Sequence, residues 1–367
     1  MTKYVIFDKN KKKGATRQSL NTLSFRYPMT KIKTSISNQK GLSIEGTNLD
    51  TLVQLRTDTD NQIVTKAKNQ LLSLQKKARS KAISNAITFK LVDVKPKLYE
   101  GQSVMNKTYW RAYHCNNVLI QEGKKLTARY CNTRHCLVCN RIRSAKAIKG
   151  YTPSIMKLDK NLWFVTLTVK SVDAGLLRLR INDMTKGFRR VQKNLKNTHK
   201  IKLKGIRKLE VNYNPTKDTF NPHFHLIVSG NPCEVILLKS LWLNQFSTID
   251  ASVKSQDIRP TNEGATLELF KYFTKVLTKG NLYPVAMDVI FTAMKGKRTV
   301  QPFGGLKIVS EDIDEIQSDE MEFLEVETNK QHIFSDDYLD WVSEYGEVLS
   351  NHKPTSETLD LIASISK

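Results

Sequence analysis

The sequence predicts a chain of the α+β class: a core of strands and helices, a small four-cysteine module ahead of it, and helical appendages. Strand and helix signals alternate over residues 155–309, and the two central strands are joined by a turn cluster short enough for an antiparallel hairpin. Four of the five cysteines fall between Cys115 and Cys139, too crowded for scattered core residues. Apolar and polar residues also alternate along the central strands, so one sheet face is a core and the other carries chemistry.

The elements follow in order. Residues 1–95 read as a basic accessory arm, partly helical or disordered, with Lys-rich runs and no aromatic residue between Tyr27 and Phe89. Leu49, Leu52, Val53, Ile63, Val64, Ala67, Leu71 and Leu74 place one or two amphipathic helices in it. Residues 96–154 are the cysteine module. Trp163–Val169 is a strand of β-branched and aromatic residues, and 176–196 a basic helix with Leu177, Ile181, Met184 and Phe188 on one stripe. Ile206–Tyr213 and Phe224–Val228 are strands flanking the turn Asn214–Asp218. A helix follows Pro232, Val253–Arg259 is a further strand, 265–279 a helix, and a short helix precedes Gly296. Gly296-Lys297-Arg298 and Phe303-Gly304-Gly305 look like a basic hairpin edge. Residues 310–367 are expected to be an acidic tail with one short amphipathic helix on Tyr338, Trp341, Val342, Tyr345 and Leu349.

Charge sharpens the class. The chain of 367 residues has a net charge of +24 and a pI near 9.7. The acidic tail, with 16 carboxylates and 3 lysines, stands at −13, which leaves +37 on the rest. Such a body meets a polyanion, and nucleic acid is the first expectation. No apolar run approaches the ~18 residues of a membrane span, and the N-terminus has no apolar export segment, so a cytoplasmic protein is expected.

Asn221-Pro222-His223-Phe224-His225 carries the first candidate site. On a strand, His223 and His225 point one way while Phe224, Leu226 and Val228 point into a core. If the turn closes a hairpin, Glu210 joins the histidine face. Two imidazoles and a carboxylate are a divalent-metal site with open positions for phosphate oxygens. An H-x-H pair alone is more often two polar positions on an ordinary solvated face; Glu210 and the helix that carries Glu268 favour the metal reading.

The second candidate is the helix at Glu268-Leu269-Phe270-Lys271-Tyr272-Phe273-Thr274-Lys275. Glu268, Tyr272 and Lys275 share a face beside a buried stripe of Leu269, Phe273, Val276 and Leu277. They suit phosphoryl transfer, with Tyr272 as nucleophile, Glu268 as general base and Lys275 as phosphate clamp, but taken alone the helix reads more simply as a half-buried Tyr beside an i,i+4 Glu with Lys on a solvated face.

The third is C-x15-C-x4-C-x2-C, formed by Cys115, Cys131, Cys136 and Cys139. Four thiolates suffice for a structural zinc, with His135 as a substitute ligand. Arg129, Arg134, Arg141, Arg143 and Lys146 make the module basic and are the expected DNA grip. Cys233, alone before a helix, reads as structural.

Together these blocks resemble the plasmid rolling-circle replication initiators of the HUH endonuclease superfamily, in the subgroup with one catalytic Tyr and a Glu one helical turn before it. Phe164–Thr168 looks like the first motif strand, Asn221–His225 like the HUH motif, Leu209-Glu210-Val211 like its carboxylate strand, and Glu268–Lys275 like the Glu-x-x-x-Tyr-x-x-Lys helix. The cysteine block has its counterpart too, so the resemblance covers about residues 110–310. It implies an antiparallel sheet with helices on one face and the active site on the other, over a catalytic domain at 155–309. It implies Mg²⁺ or Mn²⁺ at the histidines, nicking of single-stranded or cruciform plasmid origin DNA by Tyr272, and termination by water activated through Glu268. Host helicase and polymerase are the implied partners; no membrane is, and the oligomeric state is open. The alternatives are an HUH transposase or relaxase, and a non-catalytic zinc-stapled DNA-binding protein.

Overall fold

The alternation read along residues 204–229 folds into one long hairpin, and the rest of the central sheet is built outward from it. The computed structural model describes residues 49–158, 161–246, 250–262, 264–270, 282–324, 326 and 329–366. Contacts divide the chain into Met1–Leu55 and Arg56–Lys367. In the first unit the described residues are the opening turns of helix α1 (Leu49–Val92).

The second unit continues α1 and then runs α2 (Asn106–Tyr113), β1 (Val118–Glu122), β2 (Lys125–Arg129) and α3 (Leu137–Met156). The central part is β3 (Leu162–Thr168), α4 (Leu177–Asn197), β4 (Lys204–Asn214), β5 (Thr219–Ser229), α5 (Pro232–Gln245), β6 (Asp257–Thr261), α6 (Ala265–Phe270), α7 (Pro284–Met294) and β7 (Val300–Phe303). The last part is β8 (Ile316–Glu320), β9 (Asn329–Ser335), β10 (Asp340–Ser343) and α8 (Ser356–Ser366).

Two antiparallel five-stranded sheets result, so the α+β expectation holds. The central sheet has the order β6-β3-β5-β4-β7. Its back is the main core: Val165, Leu167, Leu209, Phe224, Leu226 and Val228 pack against α4, α5 and α7. The predicted stripe of α4, Leu177, Ile181, Met184 and Phe188, is buried there. Helix α5 starts where its chemistry dictates: Asn231 and Glu234 form a reciprocal capping box, with Pro232 in the first turn. Gly205 lets β4 lie close to β5, since a Cβ there would sit 2.2 Å from the Ile227 carbonyl oxygen.

The other face of the sheet is partly covered as well. Phe164, Ile206 and Ile227 pack with Ala147, Tyr151 and Ile155 of α3 and with Leu269 and Phe270 of α6. The strand expected over Val253–Arg259 opens instead as a short 3₁₀ turn, Val253–Ser255, and becomes strand only at β6. The expected basic hairpin edge does not form: Gly296-Lys297-Arg298 lie in the turn and loop after α7, and only Phe303 ends a strand, the edge strand β7 paired with β4.

The second sheet, β10-β9-β1-β2-β8, corrects the acidic tail. Three strands from 310–367 complete a sheet begun by β1 and β2, and Trp341 is wholly buried with its indole N–H donating to the Asn116 carbonyl, 2.8 Å. The stripe expected as a helix at 338–349 is instead β10 and a turn. Helical spacing misled because Trp341 and Phe334 meet across a strand pair, ring centroids 5.3 Å apart. Helix α1 supplies Leu74, Ala78 and Ala82 to the core beneath this sheet, while Ile63 and Val64, expected on the same stripe, are exposed. Further along, Ile83, Ile87 and Leu91 pack with Tyr109 and Met287. The hydroxyl of Tyr109 donates to buried Asp288 at 2.7 Å, tying α2 to α7.

Candidate functional site

The β4–β5 ladder places Glu210 directly opposite His223 and Lys208 opposite His225, while β3 places Thr166 beside His225. The three expected ligands therefore converge, their ligand atoms all within 4.8 Å of one another. Glu210 Oε2 lies 3.7 Å from His223 Nε2 and 3.5 Å from His225 Nε2.

The ring orientations follow from the Nδ1 partners. His223 Nδ1 is 3.1 Å from the Asn221 carbonyl, which can only accept, so Nδ1 carries the proton and Nε2 keeps its lone pair. His225 Nδ1 is 3.2 Å from the Thr166 hydroxyl. Both Nε2 atoms thus face Glu210, the outer-shell arrangement that orients metal-binding imidazoles. Burial would raise the Glu210 pKa, but the adjacent His223 and His225 imidazoles and the charge of Lys208 outweigh it and hold the carboxyl well below the usual range. An anionic carboxylate and two available imidazole nitrogens form a donor set that fits a divalent cation.

Lys208 was missed from the sequence. Its ammonium is buried, 2.6 Å from Glu210 Oε1 and 2.8 Å from the Leu269 carbonyl. It joins the carboxylate to α6, one residue beyond Glu268. The available signal was a lysine two positions before Glu210, hence on the same strand face.

Glu268 lies on α6 and is half exposed, ion-paired with Arg259 of β6. Arg259 also stacks over Phe164, 4.8 Å from the ring centroid. Tyr272 and Lys275 lie outside the described residues.

The four cysteines of the module are buried and unbridged, and their sulfurs cluster within 4.8 Å. Cys139 Sγ is 3.6 Å from the sulfurs of both Cys115 and Cys131. Zn–S bonds of about 2.3 Å at tetrahedral angles place sulfurs about 3.8 Å apart, so the cluster has the dimensions of a four-thiolate metal site. Backbone N–H groups of Cys131 and Thr133 donate to Cys115 and Cys131 sulfurs at 3.3 and 3.4 Å, which favours thiolates. Hydrogen bonding from Cys115 in turn pulls Cys131 well down. Beneath them, burial lowers Lys81 to about 8 against the upward pull of Cys115 and Cys136, and its ammonium donates to the Tyr113 carbonyl at 2.5 Å.

His135 is not one of the cluster. It is buried between Tyr109 and Phe291, ring centroids 4.9 and 5.3 Å away. The expected DNA grip divides. Arg129 is exposed on β2. Arg143 is a correction: it is buried, and its guanidinium donates to the carbonyls of Glu311, Thr133 and Asn132 at 3.0, 2.8 and 2.6 Å, latching the cysteine turn. Lys146 donates to the Asp312 carbonyl, Arg134 pairs with Glu311 at 3.0 Å, and Arg141 bonds Lys76 and Ser80 of α1. These long cations read as surface from composition, but each meets a backbone carbonyl or carboxylate brought in by a distant segment. Cys233 is exposed on α5 and packs in no core.

No helix among the described residues is long and apolar enough to cross a membrane. Residues 123–233 match the model of a family described as replication protein, a span that includes Glu210, His223, His225 and three of the four cysteines. The chain is 28% identical over 170 residues to a "Protein rep" of Staphylococcus aureus, covering 42% of this chain and 74% of the relative. It is 28% identical over 183 residues to a "Protein rep" of a Bacillus species, covering 41% and 59% of the two chains. A third, from Bacillus amyloliquefaciens, is 32% identical over 109 residues, 29% of this chain and 32% of that one. No solved structure matches the chain.

Proposed function

We propose that this chain, whose residues 123–233 match the replication-protein family model and resemble the relatives named above, initiates plasmid rolling-circle replication by nicking single-stranded or cruciform origin DNA. The observation that carries the reading is the convergence of Glu210, His223 and His225 beneath α6, the helix that holds Glu268 and leads to Tyr272.

Glu210, His223 and His225 would hold Mg²⁺ or Mn²⁺, which supplies Lewis-acid polarisation of the scissile phosphate when bound. The Tyr272 oxygen attacks phosphorus. The P–O3′ bond breaks, the 5′ phosphate stays on the tyrosine, and the freed 3′ hydroxyl primes synthesis by the host polymerase behind the host helicase. Lys275 offsets charge on the phosphate. At termination Glu268 takes the proton from a water that cuts the regenerated origin. Glu268 is half exposed beside Arg259, so its carboxylate is open to solvent, as a base acting on water must be. Four-thiolate zinc is the structural staple, and the basic body grips phosphates.

The test is incubation with supercoiled origin plasmid and Mn²⁺, followed by mass spectrometry of the protein–oligonucleotide adduct. A 5′ phosphodiester on Tyr272, absent from Tyr272→Phe, is expected; an adduct on another residue overturns the assignment. Glu268→Ala is expected to nick but to release poorly.

A further inference from the structure

A cavity of about 350 Å³ lies between the cysteine turn, β4 and the C-terminal end of α7, and Glu210 forms part of its wall. It adjoins the metal-ligand cluster without being explained by it. Its volume is that of a small-ligand site, too confined for a duplex.

Its lining has two chemistries. Ile290, Phe291 and Met294 of α7 give an apolar wall, with Met105 of the loop before α2. Against it stand His135, Asn132 and Asn212 as hydrogen-bonding groups. His135 is buried, and its Nε2 has no hydrogen-bond partner, whereas the imidazole bonds the Thr108 backbone through its other nitrogen. With the other ring nitrogen engaged, Nε2 of the neutral ring is left as an unused acceptor at the cavity wall. An unpaired buried acceptor is costly unless a ligand meets it. Arg111, Arg134, Lys208 and Lys295 also line the cavity, against the single carboxylate of Glu210.

We propose that this cavity holds one unstacked nucleotide of single-stranded DNA, its base among Phe291, Met294 and His135 and its phosphates toward the basic rim. The inference rests on the proposed nicking function only for the identity of the strand. A flat base with donor edges fits a wall of this kind, and only a base out of the helical stack can enter a pocket of this size. Because Glu210 is shared, the nucleotide so held neighbours the phosphate at the metal site. The cavity therefore gives the cut its base preference.

The experiment is fluorescence anisotropy with labelled dodecamers dA12, dC12 and dT12 and an abasic dodecamer of equal charge, at fixed salt and without added divalent metal. Wild-type protein is expected to favour at least one base-bearing strand over the abasic one by about tenfold. Met294→Trp, which fills the cavity, is expected to bind that strand only as tightly as the abasic one, with abasic affinity unchanged. Thr108→Phe fills it from the opposite wall and carries the test if the first variant fails to fold. Equal binding of all four strands by wild type, or a gap that survives in the folded filled variants, overturns the proposal. Absence of any tyrosine adduct in the nicking assay, with the base gap intact, counts against the nicking function alone.

Discussion

Glu210 faces His223 across the β4–β5 ladder, and the same carboxylate oxygen reaches the Nε2 atoms of His223 and His225 at 3.7 and 3.5 Å. One backbone register thus assembles the ligand set. Glu210→Gln keeps the shape and removes the charge. It is expected to weaken Mn²⁺ binding by tenfold or more in calorimetric titration, given that even outer-shell changes cost 10–100-fold at metal sites. Undiminished affinity would place the metal elsewhere.

Lys208 makes a second prediction. Its side chain is 1% exposed and that of Glu210 14%, so the pair is nearly out of water. Lys208→Met strands a buried carboxylate and frees the Leu269 carbonyl, at a cost of about 3 kcal/mol in urea unfolding. Removing that cation also leaves Glu210 to a metal alone, so Mn²⁺ should recover part of the lost stability by mass action. A variant as stable as wild type, with no response to Mn²⁺, would show that the buried pair is not what holds α6.

The site was more legible than the fold around it, and the reason is period. A two-residue alternation and a short turn suffice to put Glu210, His223 and His225 on one face, because strand geometry leaves no other choice. The cysteine spacing was equally direct. Lys208 was not legible, because its role depends on a carbonyl of α6, contributed from 61 positions away. Nor was the fate of 310–367. A strand such as Ile316-Gln317-Ser318-Asp319-Glu320 has almost no apolar pattern; it is a strand because β2 offers it a free edge. Arg143 misled for the same reason: its carbonyl partners come from the cysteine turn and from Glu311.

The C-terminal strands should be sensitive to acid. Burial lowers the pKa of His332 on β9 and of His352 below the ordinary histidine value of about 6.5. The folded chain then binds fewer protons than the unfolded one, so this stability is present above about pH 6.5 and is lost as pH falls through the folded pKa. Each histidine contributes at most ~1.4 kcal/mol per pH unit. His332 Nε2 lies 3.1 Å from Gln121 Oε1 and Nδ1 is unpartnered, so His332→Gln keeps a donor and removes the titration. The urea midpoint of wild type should drop between pH 7.5 and 5.5, and that of the variant should drop less. Equal drops would exclude His332 as a source.

The cysteine cluster gives the last prediction, and it separates a metal site from a merely reduced thiol core. Four buried, unbridged sulfurs with 3.6 Å contacts have the spacing of ligands around one ion. The alternative, four neutral thiols acting as small apolar groups, predicts that Cys131→Ser costs about 1 kcal/mol, as a modest core change does. A thiolate site predicts much more, because Cys115, Cys131, Cys136 and Cys139 join α2, β2 and the start of α3, and free energy of metal binding is folding free energy for those segments. Purified protein should therefore carry one zinc per chain. Cys131→Ser should lose it, and a strong chelator should lower the thermal midpoint of wild type but not of the variant. Arg143 reports the same event: once the turn at Asn132 and Thr133 is released, its buried guanidinium loses its carbonyl partners, and hydrogen exchange at 131–143 should rise together with that of β1 and β2. Metal-free protein with unchanged exchange there would leave the cysteines as packing groups and nothing more.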